Sequence, residues 1–223
     1  MNAGSGHDMS LCKGTYWSII FISVLYVHFW NGELLGAQEQ SLPVSHQEQL
    51  IVVDKEKKIV RLKGWITTRR ESHHCGIGWA DGRNGSASGG TKFLFETKVK
   101  PEEVFEALAA IGKKPGNNLS RWKRSTPVQG DPVTIRVDWP GAERHYELSE
   151  LVQDSKGAEL RFRFGGNLKA AKKHKTGCIA CFTSCYVAIV SNAKVVLSER
   201  KENDFHFTHL APPSGAEVEL IIQ

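Results

Sequence analysis

Three of the chain's five cysteines fall within Gly177 to Asn192, as Cys178, Cys181 and Cys185. The spacing is C-x2-C-x3-C, too short for three independent disulfides. A C-x2-C step sets two thiolates around one turn, close enough to share one metal. The x3 step can bring a third to the same centre. A fourth ligand has to come from elsewhere, and the run His73-His74-Cys75 is the obvious source, with Cys75 as sulfur donor and His74 as nitrogen donor. Iron–sulfur clusters are held by cysteine runs of this general kind. Structural zinc takes four Cys or His ligands in a closed tetrahedron. Disulfides suit the same residues: two of the clustered cysteines can pair while Cys75 takes the third. Buried free thiols are the plainest alternative, and spacing alone does not separate the three.

The compartment bears on that choice. Lys13 precedes an apolar run from Thr15 to Trp30, followed by the small residues Gly36 and Ala37. A basic residue, an apolar core and a small-residue end are the order of an export signal. The run is shorter than the about 20 residues of a comfortable membrane helix. Residues 1–37 are therefore expected to be a signal peptide cut after Ala37, or an uncleaved N-terminal membrane anchor. Export implies an oxidising, extracytoplasmic setting, periplasmic or membrane-anchored, where disulfides persist. Loss of Cys12 with the signal leaves an even set of cysteines, which suits two disulfides or one four-ligand site equally.

The formal net charge is +5. It becomes +6 without residues 1–37, whose charges are Asp8, Lys13 and Glu33. That surplus favours an acidic partner or a lipid surface. It is too small to define a nucleic-acid binder, and export argues against one. Membrane contact is expected only through an uncleaved N-terminus.

These residues need a scaffold. Residues 38–49 are polar and read as a tether, and residues 50–223 as one domain. Leu50 to Val53 and Lys58 to Ile66 read as a hairpin, the second strand alternating Val60, Leu62 and Gly64 with Arg61 and Lys63. Arg69 to Gly90 reads as an irregular glycine-containing loop. Lys92 to Val99 reads as a strand. Pro101 at a first-turn position, acids behind it, and Val104, Leu108 and Ile111 on one face predict a helix ended by Gly112. Pro115 to Asp131 reads as a basic connection with Trp122 pinned to the core. Further strands are expected at residues 132–139, 143–148, 160–164, 187–190, 194–197, 205–207 and 217–222, with a helical turn near 148–152. The expected fold is mainly β with one or two helices, an α+β arrangement built on an antiparallel sheet or sandwich-like core.

Several phrases carry a family likeness: IVVDKEKKIVRLKGWI, GGTKFLFETKVKPEEVFEALAAIGKKPGNNLSRW, VTIRVDW, and RFRFGGN followed by GCIACFTSCYVAIVSN. The chain resembles the YdjY-domain family of bacterial, often exported, proteins. Some relatives are described as ferredoxin-like, so the resemblance implies association with a 4Fe-4S cluster at Cys178, Cys181 and Cys185. Tyr186 stands where the family usually has proline. The run is also shorter than C-x2-C-x2-C-x3-C-P, so Cys75 would have to complete the set.

Two functions follow as expectations. The first is an extracytoplasmic cysteine-cluster protein with a redox or metal-binding role, holding a 4Fe-4S cluster or zinc and meeting a redox or cell-envelope protein partner. The second is a non-enzymatic binding or structural domain without cofactor, stapled by disulfides, with the basic loop around Arg121 to Arg124 as its binding face. A thiol–disulfide oxidoreductase has the C-x-x-C of Cys178 and Cys181 in its favour. Such a pair usually sits at a helix start, where the thiolate is stabilised, and here strands follow. No Ser-His-Asp set, paired carboxylates or G-x-G-x-x-G can be assembled.

Overall fold

The β-branched run Ile51–Asp54 (β1) and the alternating run Ile59–Ile66 (β2) form the opening hairpin, Ile51 opposite Leu62 and Asp54 opposite Ile59. The Asp54 carboxylate closes its turn by accepting the Lys57 N–H at 2.8 Å. Val60, Leu62, Gly64 and Ile66 of β2 are buried and the residues between them are not, which is the period-2 alternation of a half-buried strand. The computed structural model describes residues 49–223. The expected signal or anchor, and all of the tether but its last residue, lie outside them.

The remaining strands are β3 (Glu71–Ser72), β4 (Cys75–Trp79), β5 (Phe95–Thr97), β6 (Pro132–Val133), β7 (Ile135–Asp138), β8 (Tyr146–Glu147) and β9 (Val152–Asp154). After them come β10 (Phe162–Phe164), β11 (Cys178–Cys181), β12 (Val190–Asn192), β13 (Phe205–Phe207) and β14 (Glu217–Ile222). The helices are α1 (Pro101–Ala110), α2 (Leu148–Leu151) and α3 (Leu168–His174). One large sheet has the order β6-β10-β12-β11-β4-β5-β2-β14-β7-β8, and β1 pairs with β2 beside this path. A small antiparallel sheet has the order β3-β13-β9.

The fold is mainly β with helices added, as expected, but its large sheet is mixed. β4 runs parallel to β5, and β11 parallel to β12. Hydropathy marks strands but not their directions, so these pairings escape a one-dimensional reading. A second difference is β4, which occupies the middle of the supposed irregular loop. Its sequence, CGIGW, lacks a β-branched run because two neighbours demand glycine. A Cβ on Gly78 would overlap the Phe93 ring, and one on Gly76 would crowd the Ala180 carbonyl and the Phe182 ring. The segment 194–197 is not a strand, and 168–174 is a helix.

Helix α1 packs as its spacing predicts. Val104, Leu108 and Ile111 are buried, and the Glu103 carboxylate accepts the Lys100 N–H at 2.7 Å. Leu108→Ala should cost about 2–5 kcal/mol, the range for truncating a buried leucine. Urea denaturation reads it directly. A loss under about 0.5 kcal/mol, typical of a surface change, would contradict this packing. No helix of the described residues is long and apolar enough to cross a membrane.

Candidate functional site: a buried four-cysteine pocket

The cysteines meet because of two irregularities in one strand pair. β11 and β4 are antiparallel, with Cys178 opposite Gly78, Ala180 opposite Ile77 and Cys181 opposite Cys75. In a regular strand, residues three apart face opposite sides. Here the register shifts between Cys178 and Ala180 and shifts back between Ala180 and Cys181. The bulge adds Ile179 without a partner, so Cys178 and Cys181 can serve one pocket. Directly opposed residues of an antiparallel pair share a face, which brings in Cys75. Its N–H donates to the Ser72 hydroxyl at 2.8 Å, fixing the turn that leads into β4.

Cys185 arrives by the parallel pairing. β12 runs in the same direction as β11, so the segment 182–189 must return along β11 before β12 begins. Its start is anchored by the Phe182 N–H to the His74 carbonyl at 2.8 Å. Its middle is anchored by the Ser184 N–H to the Val195 carbonyl, also at 2.8 Å. The Cys185 N–H donates to the Ser191 hydroxyl at 3.3 Å, and the Ala188 N–H to the Cys185 carbonyl at 3.2 Å. The result is one apolar cluster of Cys75, Phe93, Cys178, Cys181, Cys185, Val187 and Ala188. All four cysteines are buried and free.

The four thiols have different electrostatics. Hydrogen bonds from Cys178 and then Cys181 hold Cys185 well below its ordinary range, against the effect of burial. The same bonds, to Cys181 and Cys185, push Cys178 well up, and burial adds to this. Burial is the main cause that raises Cys181. Burial first, and the charge at Cys185 second, push the Cys75 thiol up to about 12. The Cys181 thiol donates to the His74 carbonyl at 2.8 Å. The shared sulfur hydrogen bonds thus favour negative charge at Cys185 over its neighbours.

His74 stands beside Cys185. Burial lowers its imidazole below the ordinary range, and the negative charge at Cys185 opposes that. Its Nδ1 is buried without a hydrogen-bond partner. His73 instead faces solvent, its Nδ1 3.2 Å from the Asn203 carbonyl. Of the residues singled out by sequence, the fold gathers Cys75, Cys178, Cys181, Cys185 and His74, and leaves His73 at the surface. Phe93 and Ser191 belong to the site as well. Neither has a spacing that signals it, because one arrives by the space left at Gly78 and the other by strand pairing.

The donor set is sulfur-rich and contains no carboxylate, which suits thiophilic metals or iron–sulfur clusters. Among the described residues, no group of three or more His, Cys, Asp or Glu is placed to hold a metal ion, so ligation would require the cysteine side chains to rearrange. The Cys181 thiol, engaged by the His74 carbonyl, would have to give up that bond to become a ligand.

The protonation pattern has a measurable consequence in the reduced, metal-free chain. On unfolding, Cys75 returns from about 12 to its ordinary value near 9. As pH rises through this window the unfolded chain sheds a proton that the folded chain keeps, so stability falls. Cys178 and Cys181 act in the same direction. Cys185 acts oppositely: its contribution is present above its unfolded value and lost as pH falls through its folded one. Urea midpoints should therefore drop between pH 8.5 and pH 10.5, a window set by the ordinary thiol value. A midpoint rising over that window would contradict the assignment.

The molecule is thus a mainly β domain with four buried cysteines gathered in one core cluster. The chain belongs to the YdjY domain family, whose model matches residues 51–223. It is 42% identical over 136 residues to the uncharacterized protein YdjY of Escherichia coli strain K12, across 60% of this chain. The match covers 57% of that relative's length. No solved structure matches.

Proposed function

We propose that Cys75, Cys178, Cys181 and Cys185 act as one thiolate site that takes up a thiophilic metal or iron–sulfur cluster, in a redox or metal-binding role outside the cytoplasm. The supporting observation is the convergence of four buried thiols from two distant segments, with negative charge favoured at one of them by the others. A cation arriving there would displace the remaining thiol protons, because metal ligation requires thiolate. A bound cluster would supply one-electron transfer, its potential tuned by the apolar surround. Phe93, Val187 and Ala188 exclude water from the sulfurs. His74 offers a buried ring nitrogen beside Cys185, as a further ligand or as a hydrogen-bond partner to it.

One observation favours the disulfide-stapled binding domain as a second reading. Cys75 and Cys181 are directly opposed across antiparallel strands. Such positions hold Cα atoms about 4.5–5.5 Å apart, but no two of the described cysteines lie at disulfide distance and all four are free thiols, so the pair would have to close on oxidation.

Anaerobic purification of the full chain, with metal and acid-labile sulfide analysis and intact mass under denaturing alkylation, separates the readings. The proposal expects bound zinc, or iron with sulfide, and alkylatable thiols once the metal is removed. A metal-free chain two or four mass units light would establish disulfides and overturn it. A metal-free chain with all thiols alkylatable would overturn both. The expected export signal is tested on the same material by N-terminal sequencing, where a chain retaining Met1 or Met9 in the cytoplasm rejects it.

A further inference from the structure

Next to the packed cysteine cluster lies a cavity of about 600 Å3, to which the metal proposal assigns nothing. Its size falls within the roughly 300–1,000 Å3 of small-molecule sites. The two share a wall: Tyr186 and Ala170 pack on the cysteine cluster and also line this cavity. Phe105 of α1, Leu119 and Leu168 give it an apolar lining. Arg121, Lys169, Lys173 and His174 complete it, and no aspartate or glutamate lines it.

No carboxylate balances these cations, although the Arg121 guanidinium lies 4.4 Å from the Trp122 ring centroid. Among the described residues none of the four makes an ion pair. Lys169 and Lys173 stand four residues apart on α3, so they share one face. A like-charged pair at that spacing destabilises a helix unless an opposite charge offsets it. The chain's net charge of +5 also draws anions toward it.

The cavity is built on rigid backbone. The Gly116 N–H donates to the Phe164 carbonyl at 3.0 Å, and the Asn117 N–H to the Gly165 carbonyl at 2.8 Å. The Asn117 side-chain oxygen accepts the Asn167 N–H at 3.0 Å. Both asparagines are left-handed, with φ of 47° and 43°. Asn is among the few non-glycine residues that tolerate this region, and strained backbone of this kind concentrates at binding sites. Two phrases of the sequence, KPGNNLSR and RFGGNLK, are thereby fastened into one wall.

We propose that this cavity binds a small organic anion: a carboxylate or phosphate on an apolar or aromatic body. The body lies on Phe105, Leu119 and Leu168, and the charged head meets Arg121, Lys169 and Lys173. This goes beyond the cysteine proposal and does not depend on metal at the thiols. If both hold, the ligand sits across Tyr186 from Cys185.

Calorimetric titration of the full, metal-free chain with naphthoate, naphthyl methanol and hexaglutamate tests it. Naphthoate should bind at one site and weaken as salt rises. The neutral alcohol should bind at least about tenfold more weakly, in line with the loss of one charge-assisted contact. The variant Arg121→Ala/Lys173→Ala should lose a similar factor for naphthoate without lowering its thermal midpoint, since both side chains are exposed and loss of Lys173 relieves the like-charge pair. Equal affinity for acid and alcohol, or unchanged affinity in the variant, would overturn the assignment. Hexaglutamate binding without naphthoate binding would also overturn it, pointing to an acidic protein surface instead. Because metal content is measured separately, failure here leaves the cysteine proposal standing, and the reverse is equally visible.

Discussion

Cys75→Ser should reduce metal affinity at least about 100-fold, although Cys75 lies far in sequence from the other three. Even removal of an outer-shell supporting residue costs about 10- to 100-fold, so loss of a ligand should cost no less. Cys178→Ser and Cys185→Ser should do the same. Cys75 is the informative one, because it reaches the cluster from a distant strand, opposite Cys181. Competition with a chelator, monitored by metal content, measures the change. Full retention of metal in Cys75→Ser would remove it from the ligand set. His74→Ala then decides the remaining question: loss of metal in that variant would give the fourth place to the buried imidazole.

Phe93→Ala should destabilise the chain by about 3–5 kcal/mol, the range for a fully buried aromatic. The ring is completely buried and joins the cysteine cluster, over the space that Gly78 leaves free. Gly78→Ala attacks the same contact from the other side. Its added methyl overlaps the ring, and overpacking of this kind costs about 1–3 kcal/mol. The two effects share one cause, so the double variant should lose less than their sum. Urea denaturation of the four chains completes the cycle. Additive losses would mean that Gly78 and Phe93 act on separate parts of the fold.

The sequence carries the scaffold well where periodicity is clean. The alternation of β2 and the helical spacing of Val104, Leu108 and Ile111 both translate into burial. The gathering of Cys75 with the other cysteines was also legible, because three clustered thiols leave one without a partner. What periodicity misses is set by tertiary neighbours. β4 hides behind glycines that exist to admit Phe93 and Phe182. Helix α3 shows no apolar stripe, since Ala171 is its single buried residue. Trp122, expected to be pinned to the core, is 80% exposed and has the Arg121 guanidinium 4.4 Å from its ring centroid. A tryptophan among basic residues can take a cation–π contact at the surface in place of a seat in the core. The anion cavity has no signature of its own, because its walls come from α1, the basic connection and α3.

X-ray absorption at the metal edge of the anaerobically purified chain reads which atoms hold the metal. The four-cysteine site predicts an inner coordination sphere of sulfur, with a nitrogen only if His74 takes a place in it. For zinc this means four sulfurs at about 2.3 Å, and for an iron–sulfur cluster thiolate and sulfide sulfur together. A sphere dominated by oxygen or nitrogen would mean a metal bound elsewhere, and would contradict the four-cysteine site.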